Sequence, residues 1–146
     1  MPRIAEIMTR NVSTISPEEN IQSAAQLMEE LNVDALPVCE HQKLVGMITD
    51  RDITVRVTSA AESPENTKVR EVMSTEVIWC TEDQSLEEVT WKMADSLVRR
   101  IPVLDSSSKR MIGIATLDEL VTQQTAQTHP MSTGLSQPAQ GAQPQN

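Results

Sequence analysis

The feature that most constrains how this chain can fold is an internal repeat. A shift of 65 positions superposes apolar residues through most of the chain. The aligned pairs are Met8 with Met73, Ile21 with Leu86, Met28 with Met93, and Leu36-Pro37-Val38 with Ile101-Pro102-Val103. A longer turn in the second copy then changes the shift to 67, which aligns Gly46 with Gly113 and Thr49 with Thr116. A copy of roughly 55 residues is marginal alone, so we expect the two copies to pack together on a shared sheet face.

Both copies predict the same order of elements, a helical lead-in followed by a β-α-β-β-α unit, and the fold class is therefore α/β (α+β). The first copy predicts a lead-in at 4–8, strands at 12–15, 35–38 and 44–49, and helices that start after Ser16 and at 50–58. The second copy predicts a lead-in at 69–73, strands at 77–80, 101–104 and 111–116, and helices that start after Thr81 and at 117–122. Ser16 and Thr81 are predicted N-caps because each begins a capping-box sequence.

The distribution of charge divides the chain into parts. No Lys, Arg, Asp or Glu follows Glu119, and from Gln123 onward the chain is mostly Gln, Pro, Ser, Thr, Ala and Gly. Such a composition cannot bury a core. The sequence therefore predicts a first repeat at 1–58, a polar linker at 59–67, a second repeat at 68–122 and a disordered tail at 123–146.

Composition also excludes several functions. The net charge of −9 disfavours nucleic-acid binding, which needs a basic face. No apolar run has the length of a signal sequence core or a membrane span, so we expect a cytoplasmic protein with no membrane partner. Cys39, Cys80, His41 and His129 fit neither a disulfide framework nor the spacing of a metal site. No nucleophile–base set and no phosphate-binding glycine loop occurs, so we expect no enzyme activity.

One short motif occurs in both copies and allows two interpretations. Thr49 and Asp52 have the spacing of a capping box, and Thr116 and Glu119 repeat that spacing in the second copy. In the first interpretation these pairs only cap helices, which stabilises each helix by about 1 kcal/mol. In the second they also hold a hydroxylated, anionic ligand at the helix N-terminus. The residues alone favour the cap.

The ordered set of motifs, occurring twice, resembles a pair of CBS (cystathionine β-synthase) domains, often called a Bateman module. Each copy has the Leu/Ile-Pro-Val strand and the closing Gly-x-x-Thr-x-x-acid motif, and the resemblance covers about 4–122. It implies pseudo-two-fold packing, two clefts for adenosine-containing ligands such as AMP, ADP, ATP or S-adenosylmethionine, and no required cofactor. It also implies a disc-like homodimer that senses energy state or metabolites and regulates a partner protein.

The resemblance also implies which residues contact the ligand. The Asp52 position bonds the ribose hydroxyls and the Thr49 position reaches ribose or phosphate, while Glu119 is one methylene longer than the usual Asp and is either a ligand contact or only a cap. Arg99 and Arg100 occupy positions that face phosphates in the family. Because their counterparts in the first copy are Asp34 and Ala35, the two clefts are expected to differ. The predicted contacts are Thr14, Ala35, Leu36, Pro37, Thr49, Asp52, Arg99, Arg100, Ile101, Pro102, Thr116 and Glu119.

Two alternatives to a ligand-binding sensor stay open. The same fold serves an interaction or stress protein if its clefts are empty or degenerate. An enzyme with an activity in the cleft is the weaker alternative, because binding residues rather than reactive ones occupy the predicted clefts.

Overall fold

The computed structural model describes residues 2–128, and the predicted α+β class is confirmed. The first half contains a 3-10 helix at Ile4–Glu6, then β1 (Thr9–Arg10), α1 (Ile21–Leu31), β2 (Ala35–Glu40), β3 (Lys43–Thr49), α2 (Asp50–Asp52) and a π-helix at Ile53–Thr58. The second half contains α3 (Val69–Val72), β4 (Cys80–Thr81), α4 (Leu86–Ser96), β5 (Arg100–Leu104), β6 (Met111–Thr116) and α5 (Leu117–Thr128).

The two halves build their sheets in the same way. The sheet of the second half has four strands in the order β1-β6-β5-β4, of which β1 comes from the first half of the chain. β4 is parallel to β5, and the other pairs are antiparallel. In the first half β2 and β3 form a hairpin, and the outer strands are reduced to single bridges. Ile15 bridges Val38 in parallel, as Cys80 pairs with Val103 in the other half. The strands predicted at 12–15 and 77–80 are therefore shorter than expected, because backbone pairing is limited to their last residues.

The lead-in segments are exchanged between the halves. The Ile4 N–H donates to the Gln84 carbonyl at 3.0 Å, and the Val69 N–H donates to the Glu19 carbonyl at 2.8 Å. These bonds are equivalent under the 65-residue shift, so the exchange is reciprocal. Each lead-in therefore completes the half to which it does not belong in sequence.

The exchange gives two separate cores rather than one. Ile4 and Met8 are buried with the side chains of α4, β5 and β6, whereas Val69 and Val72 are buried with those of α1, β2 and β3. The expectation that both repeats share one sheet face is therefore wrong. Each half has its own core, and the exchanged lead-ins tie the halves together.

Both predicted helix starts are four residues early. The N-caps are Asn20 and Ser85, whose side chains accept from the N–H groups of Ser23 and Glu88 at 2.8 Å and 3.1 Å. The segment that begins at Ser16 instead forms a turn that receives the exchanged lead-in, since the Pro17 carbonyl accepts from the N–H of Arg70 at 3.0 Å. Tertiary hydrogen bonds thus decide between two plausible caps.

The closing helix is longer than expected. α5 continues to Thr128, six residues beyond the predicted end, and the Thr90 hydroxyl on α4 donates to the Gln124 side chain at 3.3 Å. The first residues of the predicted tail, 123–128, thus continue α5, where glutamine and alanine favour helix. The rest of the predicted tail, 129–146, lies outside the described residues. No helix within residues 2–128 is long and apolar enough to cross a membrane.

Candidate functional site

A cavity of about 350 Å³ opens where the two repeats meet, and we call it the inter-repeat cleft. The strands β2 and β5, each the first strand of a hairpin, begin at this cleft. The segment that precedes β4 lines it. The lining residues are Asp34, Ala35, Met47, Thr49, Glu76, Val77, Ile78, Val98, Arg99, Arg100 and Pro102. Both repeats therefore contribute to one cavity.

Equivalent backbone bonds fix the two sides of the cleft. The Asp50 N–H donates to the Asp34 carbonyl at 3.0 Å, and the Leu117 N–H donates to the Arg99 carbonyl at 2.8 Å. Each bond ties the first residue of a helix to the residue before a strand. The helix N-terminus and the strand start are thereby held together in both halves.

The predicted capping boxes are both formed. The Asp52 N–H donates to the Thr49 hydroxyl at 3.0 Å, and the Thr49 N–H donates to an Asp52 carboxylate oxygen at 3.0 Å. Thr116 and Glu119 make the same two bonds at 3.0 Å and 3.2 Å. The Asp52 carboxylate is half-buried and uses one oxygen in the box, which leaves lone pairs of the other oxygen for hydroxyl donors.

An ion pair crosses the inter-repeat cleft, since Arg100 Nη1 lies 3.4 Å from Asp34 Oδ1. Arg99, which also lines the cleft, pairs within its own repeat: its Nη2 lies 3.3 Å from Oδ1 of Asp118, which is not a lining residue. Asp34 and the arginine pair were expected to serve different clefts. The structure places them in one cavity because the pseudo-two-fold relation sets the starts of β2 and β5 side by side.

The predicted contact residues fall into three groups. Those that line the inter-repeat cleft are Ala35, Thr49, Arg99, Arg100 and Pro102, and Asp52 adjoins it through Thr49. Those buried in the strands are Leu36, Pro37 and Ile101. Those elsewhere are Thr14, in a groove of about 320 Å³ beside Met111, and Thr116 with Glu119, of which Glu119 lines a depression of about 420 Å³ with Glu6 and Asp118.

Sequence reasoning missed the wall that precedes β4. Glu76, Val77 and Ile78 line the cleft, and so do Met47 and Val98. The repeat itself could have pointed to this wall, because residues 76–78 correspond to 11–13 of the first copy, which directly precede Thr14, a residue that was singled out. Among the described residues that line the cleft, none is aromatic, which agrees with the absence of Phe and Tyr from the chain.

The cysteines lie away from the cleft. Burial raises the pKa of the Cys80 thiol to about 12, and burial also raises the pKa of Cys39, opposed by a hydrogen bond with Thr14. Both thiols therefore stay protonated at neutral pH and are poor nucleophiles. Within residues 2–128 no group of three or more His, Cys, Asp or Glu side chains could hold a metal ion.

Comparisons with known proteins point to one family. The CBS domain family matches residues 4–58 and 69–124. The CBS domain-containing protein YhcV of Bacillus subtilis is 41% identical over 124 residues, which are 85% of this chain and 86% of that protein. Hypoxic response protein 1 of Mycobacterium tuberculosis is 32% identical over 117 residues, 80% of either chain.

Solved structures share the fold. The crystal structure of Hypoxic Response Protein I with two coordinated zinc ions has a TM-score of 0.75 at 30% identity, and the match covers 83% of this chain and 98% of that one. A CBS domain pair in complex with 5′-methylthioadenosine and S-adenosyl-L-methionine has a TM-score of 0.69 at 26% identity, covering 87% and 98%. The chain therefore belongs to the CBS domain family and carries two CBS domains in tandem.

Proposed function

We propose that this CBS pair is a non-catalytic regulatory module that binds an adenosine-containing ligand in the inter-repeat cleft. The observation that carries the proposal is a cavity of about 350 Å³ between the repeats, with the Thr49–Asp52 helix start at its edge. This volume lies within the range typical of small-molecule sites.

The chemistry of the helix start suits a ribose. An ionised carboxylate can accept hydrogen bonds from two vicinal hydroxyls, and Asp52 has acceptor capacity left after the capping bond. The N-terminus of a helix also attracts negative charge or the oxygen of a polar group. Asp52 is therefore proposed to bind the ribose hydroxyls and Thr49 a neighbouring ligand oxygen.

The walls of the cleft suit a flat base. Val77, Ile78 and Val98 present aliphatic side chains, and Met47 and Pro102 extend this surface. Burial of a base against such walls gains hydrophobic free energy without aromatic stacking. A relative of known structure is described as a complex with 5′-methylthioadenosine and S-adenosyl-L-methionine, which supports the same ligand class here.

Isothermal titration calorimetry of the full chain tests the proposal. AMP, ADP, ATP, S-adenosylmethionine and 5′-methylthioadenosine are titrated separately, and at least one should bind. Asp52→Asn should weaken that ligand by roughly ten- to a hundredfold, since a hydrogen bond to a charged group contributes about 1.5–3 kcal/mol. The amide can still cap the helix, so the variant should stay folded.

Asp50→Asn is the matched control. It removes the same charge from the first turn of the same helix, but the Asp50 side chain is exposed and does not line the cleft. Its ligand affinity should stay near that of the natural chain. If none of the ligands binds, the nucleotide proposal is wrong and an interaction or stress protein with unoccupied clefts takes its place.

We further propose that the module works as a cytoplasmic homodimer in which the ligand shifts an equilibrium read by a partner protein, as in energy or metabolite sensing. The family resemblance supports this proposal. Light scattering coupled to size-exclusion chromatography should give twice the chain mass of 16.2 kDa, and a mass equal to one chain would contradict it.

A further inference from the structure

The ion pair between Asp34 and Arg100 joins the two repeats inside the inter-repeat cleft. Asp34 directly precedes β2 in the first repeat, and Arg100 begins β5 in the second. Both residues line the cavity, and Arg100 Nη1 lies 3.4 Å from Asp34 Oδ1. Within residues 2–128 neither side chain belongs to another ion pair. A ligand group that binds Arg100 must therefore compete with Asp34.

The backbone of each residue is fixed, whereas the contact between their side chains is weak. The Asp34 carbonyl accepts from the Asp50 N–H at 3.0 Å, and Arg100 is paired with Thr116 in the β5–β6 ladder. The separation of 3.4 Å is longer than the roughly 2.7–2.9 Å of a charge-assisted hydrogen bond. The Arg100 and Asp34 side chains are also 34% and 66% exposed, and ion pairs so exposed contribute little. A ligand can therefore displace the carboxylate without moving either strand.

The repeat explains why this contact is an attraction. Under the 65-residue shift Asp34 and Ala35 correspond to Arg99 and Arg100, so two identical repeats would bring like charges together across the cleft. Arg99 is paired within its own repeat, with Asp118. Arg100 is therefore the cleft arginine whose carboxylate partner comes from the other repeat.

We propose that the Asp34 carboxylate competes with the ligand's phosphate for the Arg100 guanidinium, and so lowers the affinity of the cleft for phosphorylated ligands. The inference rests on the proposed function, because it concerns the ligand of that same cleft. A phosphate carries about −1.5 to −2 charges at pH 7 and can engage the guanidinium fork through two oxygens, so it displaces a single carboxylate. A phosphorylated ligand thus breaks the contact between the repeats, whereas a ligand without phosphate leaves it in place.

Two matched ligands isolate the phosphate. AMP and adenosine differ by that group alone, and calorimetry of the full chain gives the affinity for each. Asp34→Asn should tighten AMP by about two- to fivefold, since an exposed ion pair contributes up to about 1 kcal/mol, and should leave adenosine unchanged. Arg100→Gln should weaken AMP several-fold, and adding Asp34→Asn to that variant should then tighten AMP by less than about twofold, because the contested guanidinium is gone.

Glu76→Gln is the matched control. Glu76 is an exposed carboxylate that lines the same cleft but belongs to no ion pair within residues 2–128. Its removal should change the AMP affinity by less than about twofold. Equal tightening of AMP by Glu76→Gln and Asp34→Asn would overturn the inference, because general repulsion would then account for the effect.

Three further results separate this inference from the proposed function. Unchanged AMP affinity in Asp34→Asn, or equal tightening of adenosine and AMP, would overturn the competition and leave the proposed function standing. Binding of S-adenosylmethionine or 5′-methylthioadenosine without any binding of AMP would do the same. Binding by no adenosine-containing ligand would overturn the proposed function itself.

Discussion

Ile4 tests the exchange of the lead-in segments. Its side chain is 0% exposed and lies in the core of the second half, although it is the fourth residue of the first. Truncation of a fully buried aliphatic side chain costs about 2–5 kcal/mol, because transfer free energy is lost and a cavity remains. We expect Ile4→Ala to lower the free energy of unfolding, measured by urea titration, by that amount. A cost below about 0.5 kcal/mol, typical of surface sites, would show that the lead-in is not part of a core.

A double-mutant cycle identifies which core is affected. The milder Ile4→Val is combined with Leu86→Ala in the second-half core and, separately, with Ile21→Ala in the first-half core. Residues that share a cavity couple by about 0.5–3 kcal/mol, whereas distant ones add within about 0.5 kcal/mol. Exchange predicts coupling to Leu86 and additivity with Ile21. The reverse result would refute the exchanged arrangement.

Two further predictions concern packing and titration. Gly46→Ala should lower the free energy of unfolding, measured by urea titration, by about 1–3 kcal/mol. The reason is that an added Cβ would lie 2.7 Å from Met73 Sδ and 2.8 Å from the Ser74 carbonyl oxygen. Unchanged stability would contradict this prediction. Burial raises the pKa of Cys80 from 9.0 to about 12, so between those values the unfolded thiol ionises while the folded one does not. Stability should therefore fall as pH rises through this window, and the fall should be shallower in Cys80→Ala; equal slopes would refute it.

Much of the fold could be predicted because the apolar pattern of each strand or helix is visible within a few consecutive residues. The strands expected at 101–104 and 111–116 match β5 and β6 closely, since their apolar residues and the intervening polar turn are contiguous in sequence. The same holds for β2 and β3 in the first half. Because the two copies share one pattern, a correct strand is predicted in both, and the early helix starts at Ser16 and Thr81 are the same error made in both.

The errors concern interactions between distant segments. Nothing near Ile4 says which half will bury it, because an isoleucine gains the same transfer free energy in either core. The start of α1 likewise depends on a distant residue, because the Arg70 N–H donates to the Pro17 carbonyl and holds residues 16–19 in a turn. Local propensity ranks Ser16 and Asn20 as similar caps, and only the tertiary partner separates them.

The same contrast between local motifs and interactions of distant segments applies to the candidate site. Thr49 and Asp52 were found because a capping box is a local motif, and both predicted hydrogen bonds are present. The composition of the cleft was not predictable in the same way. Asp34 and Arg100 are 66 positions apart and meet only because the strand starts lie side by side.

The second capping box gives a final prediction, which concerns the number of bound ligands. Glu119 lines a depression together with Glu6 and Asp118, so three carboxylates face any ligand there, and it does not line the inter-repeat cleft. We therefore expect Thr116 and Glu119 to act as a helix cap, and calorimetry should give one ligand per chain. Glu119→Gln should leave that affinity unchanged, while the amide keeps the cap and limits the loss of stability to about 1 kcal/mol. Two ligands per chain, with one lost in Glu119→Gln, would instead make the second box a binding site.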